Sequence, residues 1–218
     1  MSATLDYLVR HRGEILGWFG WHAWLSAVPV AIGLALALPL GWWARRSRYA
    51  RTPLIAAAGV LYTIPSLALF VLLPVVLGTR ILDPVNVIAA LTVYTVALLV
   101  RVVADGLAAV PDDVEQSATA MGYGSLQRLL AVELPIAVPV IVAGLRVAAV
   151  SNVSLVSVSA LLGVPQLGQL FTNGFQLFRT EPIVLGILGC LLLAAIFDGL
   201  IVLAGRLLTP WRSAARVT

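Results

Sequence analysis

Apolar residues run almost unbroken through five stretches of the chain, roughly 23–44, 54–77, 86–104, 136–160 and 183–205. A helix crosses the hydrocarbon core of a bilayer with about 20 apolar residues, and each stretch is near or above that length. The pattern therefore predicts an all-α, polytopic membrane protein of about five transmembrane helices, folded as a single domain over 1–218. The 22 residues before the first stretch lack the short basic start of a signal peptide, and the stretch is too long for a signal h-region. It is read as a retained helix.

One segment breaks this pattern with charge. Residues 110–135 carry Asp112, Asp113, Glu115, Arg128 and Glu133 among amphipathic positions. Asp112 is placed to cap a helix, with Glu115 three residues on as its capping-box partner and Pro111 just outside. Val114, Ala118 and Met121 follow at i, i+4 and i+7, a narrow apolar stripe. Gly122-Tyr123-Gly124 ends that helix, and Ser125 is set to cap a second with apolar positions Leu126, Leu129 and Leu130. A short amphipathic helix of this kind suits a groove on a partner protein. Its acidic face, Asp112, Asp113 and Glu115, argues against a helix resting on lipid, where basic residues are favoured.

Composition agrees with a lipid environment. The chain is 61% hydrophobic and 11% charged, with a mean hydropathy of +1.01, more apolar surface than a soluble domain of 218 residues can bury. All 14 basic residues are Arg. Without Lys there is no P-loop, which needs Lys after its Gly-rich turn, so the chain carries no Walker-type ATPase site. Cys190 is the single cysteine, which rules out an intrachain disulfide and argues against a metal cluster. His11 and His22 precede the first stretch and are read as interfacial packing. The Arg residues gather at span ends, so the net charge of +4 reflects membrane topology and not nucleic-acid binding.

That distribution also predicts orientation. Arg45, Arg46, Arg48 and Arg51 follow the first stretch; Arg101, Arg128, Arg206, Arg212 and Arg216 fall on the same side, nine in all. The other side holds four, Arg10, Arg12, Arg80 and Arg179. The 45–51, 101–135 and C-terminal segments are then cytoplasmic and the N-terminus is outside. Trp18, Trp21 and Trp24 mark the outer edge of the first span and Trp42 and Trp43 its inner edge, as an aromatic belt.

Polar groups within spans are costly unless they face protein or water. In the fourth span Ser151, Asn152, Ser154, Ser157 and Ser159 form a polar stretch that lines a pathway or packs helices together. Pro65, with Thr63 and Ser66, breaks the second span near its middle, either opening carbonyls to a cavity or kinking a packed helix. Arg146 stands about ten residues, roughly 15 Å, into the fourth helix. Its depth matches that of Asp198 in the fifth, which predicts a structural ion pair. Arg101 and Asp105, at i and i+4, are expected to form another.

The run Gln116-Ser117-Ala118-Thr119-Ala120-Met121-Gly122, nine further residues, and Val132-Glu133-Leu134-Pro135 resemble the EAA loop of binding-protein-dependent ABC importer permeases. That motif is Glu-Ala-Ala, three residues, Gly, nine residues, Ile-x-Leu-Pro. Gln116 and Ser117 depart from its first two positions, and Glu115 is a carboxylate one residue early. Tyr62 through Ala68 (YTIPSLA), Pro135 through Arg146 (PIAVPVIVAGLR), Ala160 through Gly163 and Leu167-Gly168 are similar to the osmoprotectant branch of these permeases.

The resemblance implies a MetI-like permease fold whose cytoplasmic coupling loop, 105–135, engages a separate ABC ATPase through Glu115, Gln116, Ser117, Ala118, Met121, Gly122 and Arg128. Thr63, Pro65, Ser66, Asn152, Ser154 and Ser157 become translocation-pathway candidates. Partners would be a cytoplasmic ATPase that binds the ATP, an extracellular or lipid-anchored solute-binding protein, and a second permease, identical or related. Residues 163–179 would form part of the outer gate and docking surface. The chain itself would bind no cofactor or metal and catalyse no reaction. The branch imports glycine betaine, carnitine and choline; methionine and other amino-acid importers share the five-helix core. A stand-alone secondary transporter would show internal repeats and midplane charges, neither of which stands out here. An intramembrane enzyme would need a Ser–His or paired-Asp arrangement in the spans, for which there are no candidates.

Overall fold

The computed structural model describes residues 2–211. Arg212 and Arg216 lie outside the described residues, as does the Arg48 side chain. A short helix α1 (Ser2–Arg10) leads into α2 (Arg12–Arg46), which is 35 residues long. The broken pair α3 (Arg48–Thr63) and α4 (Ser66–Leu77) follows, then α5 (Pro84–Ala108). After the short helices α6 (Asp112–Ala120) and α7 (Ser125–Arg128), α8 (Leu134–Val158) runs into a 3₁₀ turn at Ser159–Leu162. Helix α9 (Gln169–Gln176) lies across the connection to α10 (Thr180–Leu208). Four of the five apolar stretches therefore become single long helices, and the second becomes a bent pair.

Local chemistry accounts for the boundaries. Ser47 accepts a hydrogen bond from the Ala50 N–H at 3.3 Å and starts α3. Asp83 caps α5 through the Val85 N–H at 2.9 Å, with Pro84 in the first turn, where its missing N–H costs nothing. At Pro65 the chain bends by 104° between α3 and α4. The residue before a proline avoids helical ψ, and Ile64 is extended (φ −64°, ψ 130°). In hydrocarbon the freed carbonyl needs a partner inside the protein; the Tyr94 hydroxyl on α5 donates to the Ile64 carbonyl. Tyr62 meets the same ring edge to face, 5.8 Å between centroids.

Helix α5 is the centre of the bundle, packed against α2, α3, α4 and α8. One core cluster joins Leu25, Phe70, Val87, Leu91, Tyr94 and Val156. A second joins Ala37, Leu99, Val100, Val103, Leu107 and Ile141 at the other end. Between them Asn152 on α8 donates to the Thr95 hydroxyl at 3.0 Å, which itself donates to the Leu91 carbonyl at 2.8 Å. Helix α2 comes in against this tie because Gly33 has no side chain: a Cβ there would sit 2.4 Å from Thr95 Cγ2. Association in lipid rests on such close approach rather than on a hydrophobic drive. By contrast, only 6% of the apolar window of α10 is buried within the chain, so this helix is peripheral.

One expectation changes. His22 is not interfacial. It lies within α2 with no exposed surface, its Nε2 2.9 Å from the Val153 carbonyl and its Nδ1 3.0 Å from Gln166 Oε1. Of the residues read as an aromatic belt, Trp21, Trp24 and Trp43 are exposed, the first two meeting edge to face, while Trp18 and Trp42 are half-buried.

The Gly33 contact sets a test. Gly33→Val is expected to destabilise the fold by about 1–3 kcal/mol through overpacking, whereas Gly20→Ala, with nothing within 4 Å of the added Cβ, leaves the midpoint nearly unchanged. Thermal unfolding of the two variants in detergent measures the difference.

The charged loop and the polar sites of the spans

The 110–135 segment forms one short helix and the root of the next span. Helix α6 (Asp112–Ala120) opens at Pro111, which has no side-chain cap, so Asp112 is the first helical residue and not the cap. Three acidic residues, Asp112, Asp113 and Glu115, then face the positive end of the helix dipole. Gly122 takes φ +87°, the left-handed conformation that ends the helix at lowest cost for glycine. The stripe of Val114, Ala118 and Met121 does not hold together. Ala118 is buried at 1% exposure against the chain's own body, while Met121, past the end of the helix, is 69% exposed.

Ser125 does not cap a separate second helix either. Helix α7 (Ser125–Arg128) passes directly into a π-turn at Leu129–Glu133 and then into α8. Residues 125–162 thus form one continuous apolar helical run of 38 residues, which begins about three helical turns before the apolar pattern of the fourth stretch does.

Charges tie this loop to two spans. Glu115 accepts from Arg45 Nη2 at 3.0 Å, at the end of α2, and its other oxygen is 3.9 Å from Arg128 Nη2. Arg128 also donates through Nε to Glu133 at 2.6 Å and through Nη1 to the Thr119 hydroxyl at 2.9 Å. Thr119 closes the circuit by donating to the Glu115 carbonyl at 2.8 Å. Glu133 is only 4% exposed; stripping a buried charge of its partner costs about 3–5 kcal/mol, so this pair is held firmly. Of the residues assigned above to ATPase coupling, Glu115 and Arg128 are committed to each other and to the bundle, and Ala118 faces inward. Gln116, Ser117, Met121 and Gly122 remain exposed. Gln116 borders an open surface groove with Asp112, Glu115, Thr119, Ala120 and Arg128.

The pathway candidates do not converge. Asn152 is buried in the α5–α8 contact, and Ser157 is half-buried, 3.6 Å from Cys190 Sγ on α10. Both make contacts between helices. Ser154 is exposed, as are Thr63 and Pro65, with Ser66 half-buried. Pro65, Leu67, Ala68, Val71, Leu72 and Val75 line an apolar groove that runs from the bend along α4. Arg146 and Asp198 do meet, bidentate at 2.6 and 2.9 Å. Asp105 is shared, 3.0 Å from Arg51 and 3.7 Å from Arg101. Sequence reasoning passed over Arg45, whose distance from Glu115 along the chain hides their contact, and Gln166. The latter is buried and accepts from the Gly168 N–H at 2.5 Å while donating to the Ser157 carbonyl.

With that geometry in place, the family sequence model of binding-protein-dependent transport system inner membrane components matches residues 27–209. The chain belongs to that family. It is a multi-pass inner-membrane permease component and not an enzyme. The permease is 32% identical over 210 residues to the osmoprotectant import permease protein OsmW of Salmonella typhimurium, covering 95% of this chain and 97% of that one. It is 28% identical to the glycine betaine/carnitine/choline transport system permease protein OpuCB of Bacillus subtilis, over 96% and 95%. In structure it is similar to the MetNI methionine ABC transporter in an inward-facing conformation, with a TM-score of 0.75 at 20% identity, covering 87% of this chain and 94% of that one. An amino acid ABC transporter crystallised with histidines gives a TM-score of 0.75 at 17% identity, covering 92% and 96%. At these identities the likeness is one of fold.

The Arg146–Asp198 pair is testable in isolation. Arg146→Asp and Asp198→Arg are each expected to lower the thermal midpoint, and the double swap to restore most of it. Two losses that simply add would mean the contact is incidental, as a double-mutant cycle in detergent will show.

Proposed function

We propose that this permease imports quaternary-ammonium osmoprotectants of the glycine betaine, choline and carnitine class. The observation that carries the reading is similarity along nearly the whole chain to permeases named for those solutes, at up to 32% identity. Likeness in fold to amino-acid importers supports the architecture and leaves the solute open.

In this reading the acidic loop is cytoplasmic and the N-terminus outside. A separate ABC ATPase grips the exposed face of α6 around Gln116, Ser117 and Met121. A second permease, identical or homologous, completes the pathway against the groove at the α3–α4 bend. A solute-binding protein, extracellular or lipid-anchored, docks over the end that carries α9 and selects the solute. ATP is held by the partner; no cofactor is assigned to this chain.

Reconstitution tests the proposal. Proteoliposomes holding the permease, its ATPase and its binding protein are expected to accumulate labelled glycine betaine, choline or carnitine only with internal ATP. Uptake of methionine in place of these solutes would move the permease to the amino-acid importers, and uptake without any ATPase would overturn the reading. Gly122→Val, which forces a β-branched residue to φ +87°, is expected to reduce retention of the ATPase on co-purification.

A further inference from the structure

Arg128 and Glu133 are five residues apart. In an α-helix such residues point about 140° away from each other and cannot pair. Here they do, at 2.6 Å, because the backbone between them is a π-turn, closed by a hydrogen bond from the Leu134 N–H to the Leu129 carbonyl. A π-turn is a single extra residue wound into a helix, and such turns are frequent at functional sites. The same Arg128 reaches Thr119 on α6 and lies 3.9 Å from Glu115, and Glu115 reaches Arg45 on α2. The charges alternate, Arg45, Glu115, Arg128, Glu133, and so span from the end of one crossing helix through the loop to the root of another.

We propose that this four-residue charge chain, clasped at the π-turn by Glu133, passes displacement of the loop into α2 and α8. Glu133 is a positioning residue: it is buried, and it touches neither the exposed face of α6 nor the groove beside Gln116. Helix α7 is continuous with α8, so a push on α6 that is held rigidly by the clasp rotates or tilts α8. With the clasp released, the π-turn absorbs the same push by changing its winding. Arg45 does the corresponding work for α2. The proposal rests on the reading that the loop is driven by an ATPase.

The test compares ATP hydrolysis with uptake in the reconstituted transporter. Glu133→Gln keeps the shape of the side chain and removes its charge. It is expected to assemble with the ATPase and hydrolyse ATP near the native rate while solute moved per ATP falls by about tenfold, within the usual range of coupling energies. Glu133→Asp restores the charge and is expected to recover part of that ratio. Arg45→Gln, at the far end of the chain, is expected to lower the ratio in the same way, and stands in if Glu133→Gln fails to fold. Native transport per ATP in Glu133→Gln or, where that variant does not fold, in Arg45→Gln would overturn the proposal. So would hydrolysis and uptake falling in parallel, which marks a structural role only. Absence of ATP-driven uptake in the native transporter would instead sink the functional reading on which the proposal stands.

Discussion

Hydrocarbon offers no hydrogen bond, and most of this structure follows from that. Every backbone or side-chain polar group placed within the spans has to find its partner in the protein, at a cost of several kcal/mol where it does not. The Ile64 carbonyl released by Pro65 takes the Tyr94 hydroxyl, which allows a sharp bend where an uninterrupted helix would otherwise be required. Asn152 takes Thr95, His22 takes Val153 and Gln166, and Arg146 takes Asp198. Each partner is on a different helix or on the loop after α8, so satisfying the polar group also sets which elements touch.

The same rule divides the molecule into working parts. Helix α5, most buried and packed on four others, is the fixed frame. The bend between α3 and α4 leaves an apolar groove lined by exposed Pro65 and by α4. At one end of the bundle the alternating charges bind α6 to α2 and α8. At the opposite end, buried Gln166 joins the 163–168 connection to α2 and α8 at once. Motion at the charged loop therefore has stiff elements to act on, and α8, which runs through both ends, connects them.

Resemblance and physics speak to different parts of the loop. The matching of Gly122 and Leu134-Pro135 to the family spacing has a structural counterpart: Gly122 holds a left-handed turn, and Leu134-Pro135 opens α8 immediately after the π-turn. The departure at Gln116 also has one. Glu115, the carboxylate nearest the usual Glu position, is turned to Arg45 and Arg128, leaving neutral Gln116 on the exposed surface. The charge at this site works inside the chain.

The apolar helices were legible in the sequence because the length of an apolar run is a local property set by bilayer thickness. So were the break at Pro65 and the turn at Gly122, which follow from the covalent geometry of single residues. Arg146 and Asp198 were matched by depth alone, since few charges compete within the spans. Other features were not legible. Asp112 was misread as a cap because a capping residue is defined by its backbone angles, and Pro111 takes that place. His22 was misread as interfacial because its burial comes from α8 and the 163–168 connection, distant in sequence. The π-turn is invisible to helical periodicity, being an irregularity of one residue. Sequence by itself determined where the long apolar helices lie and where the chain bends at Pro65 and turns at Gly122, through hydrophobic length and backbone sterics. Only the tertiary structure decided which charges meet, because Arg45 and Glu115 lie 70 residues apart and become neighbours solely through the packing of α2, α5 and α8.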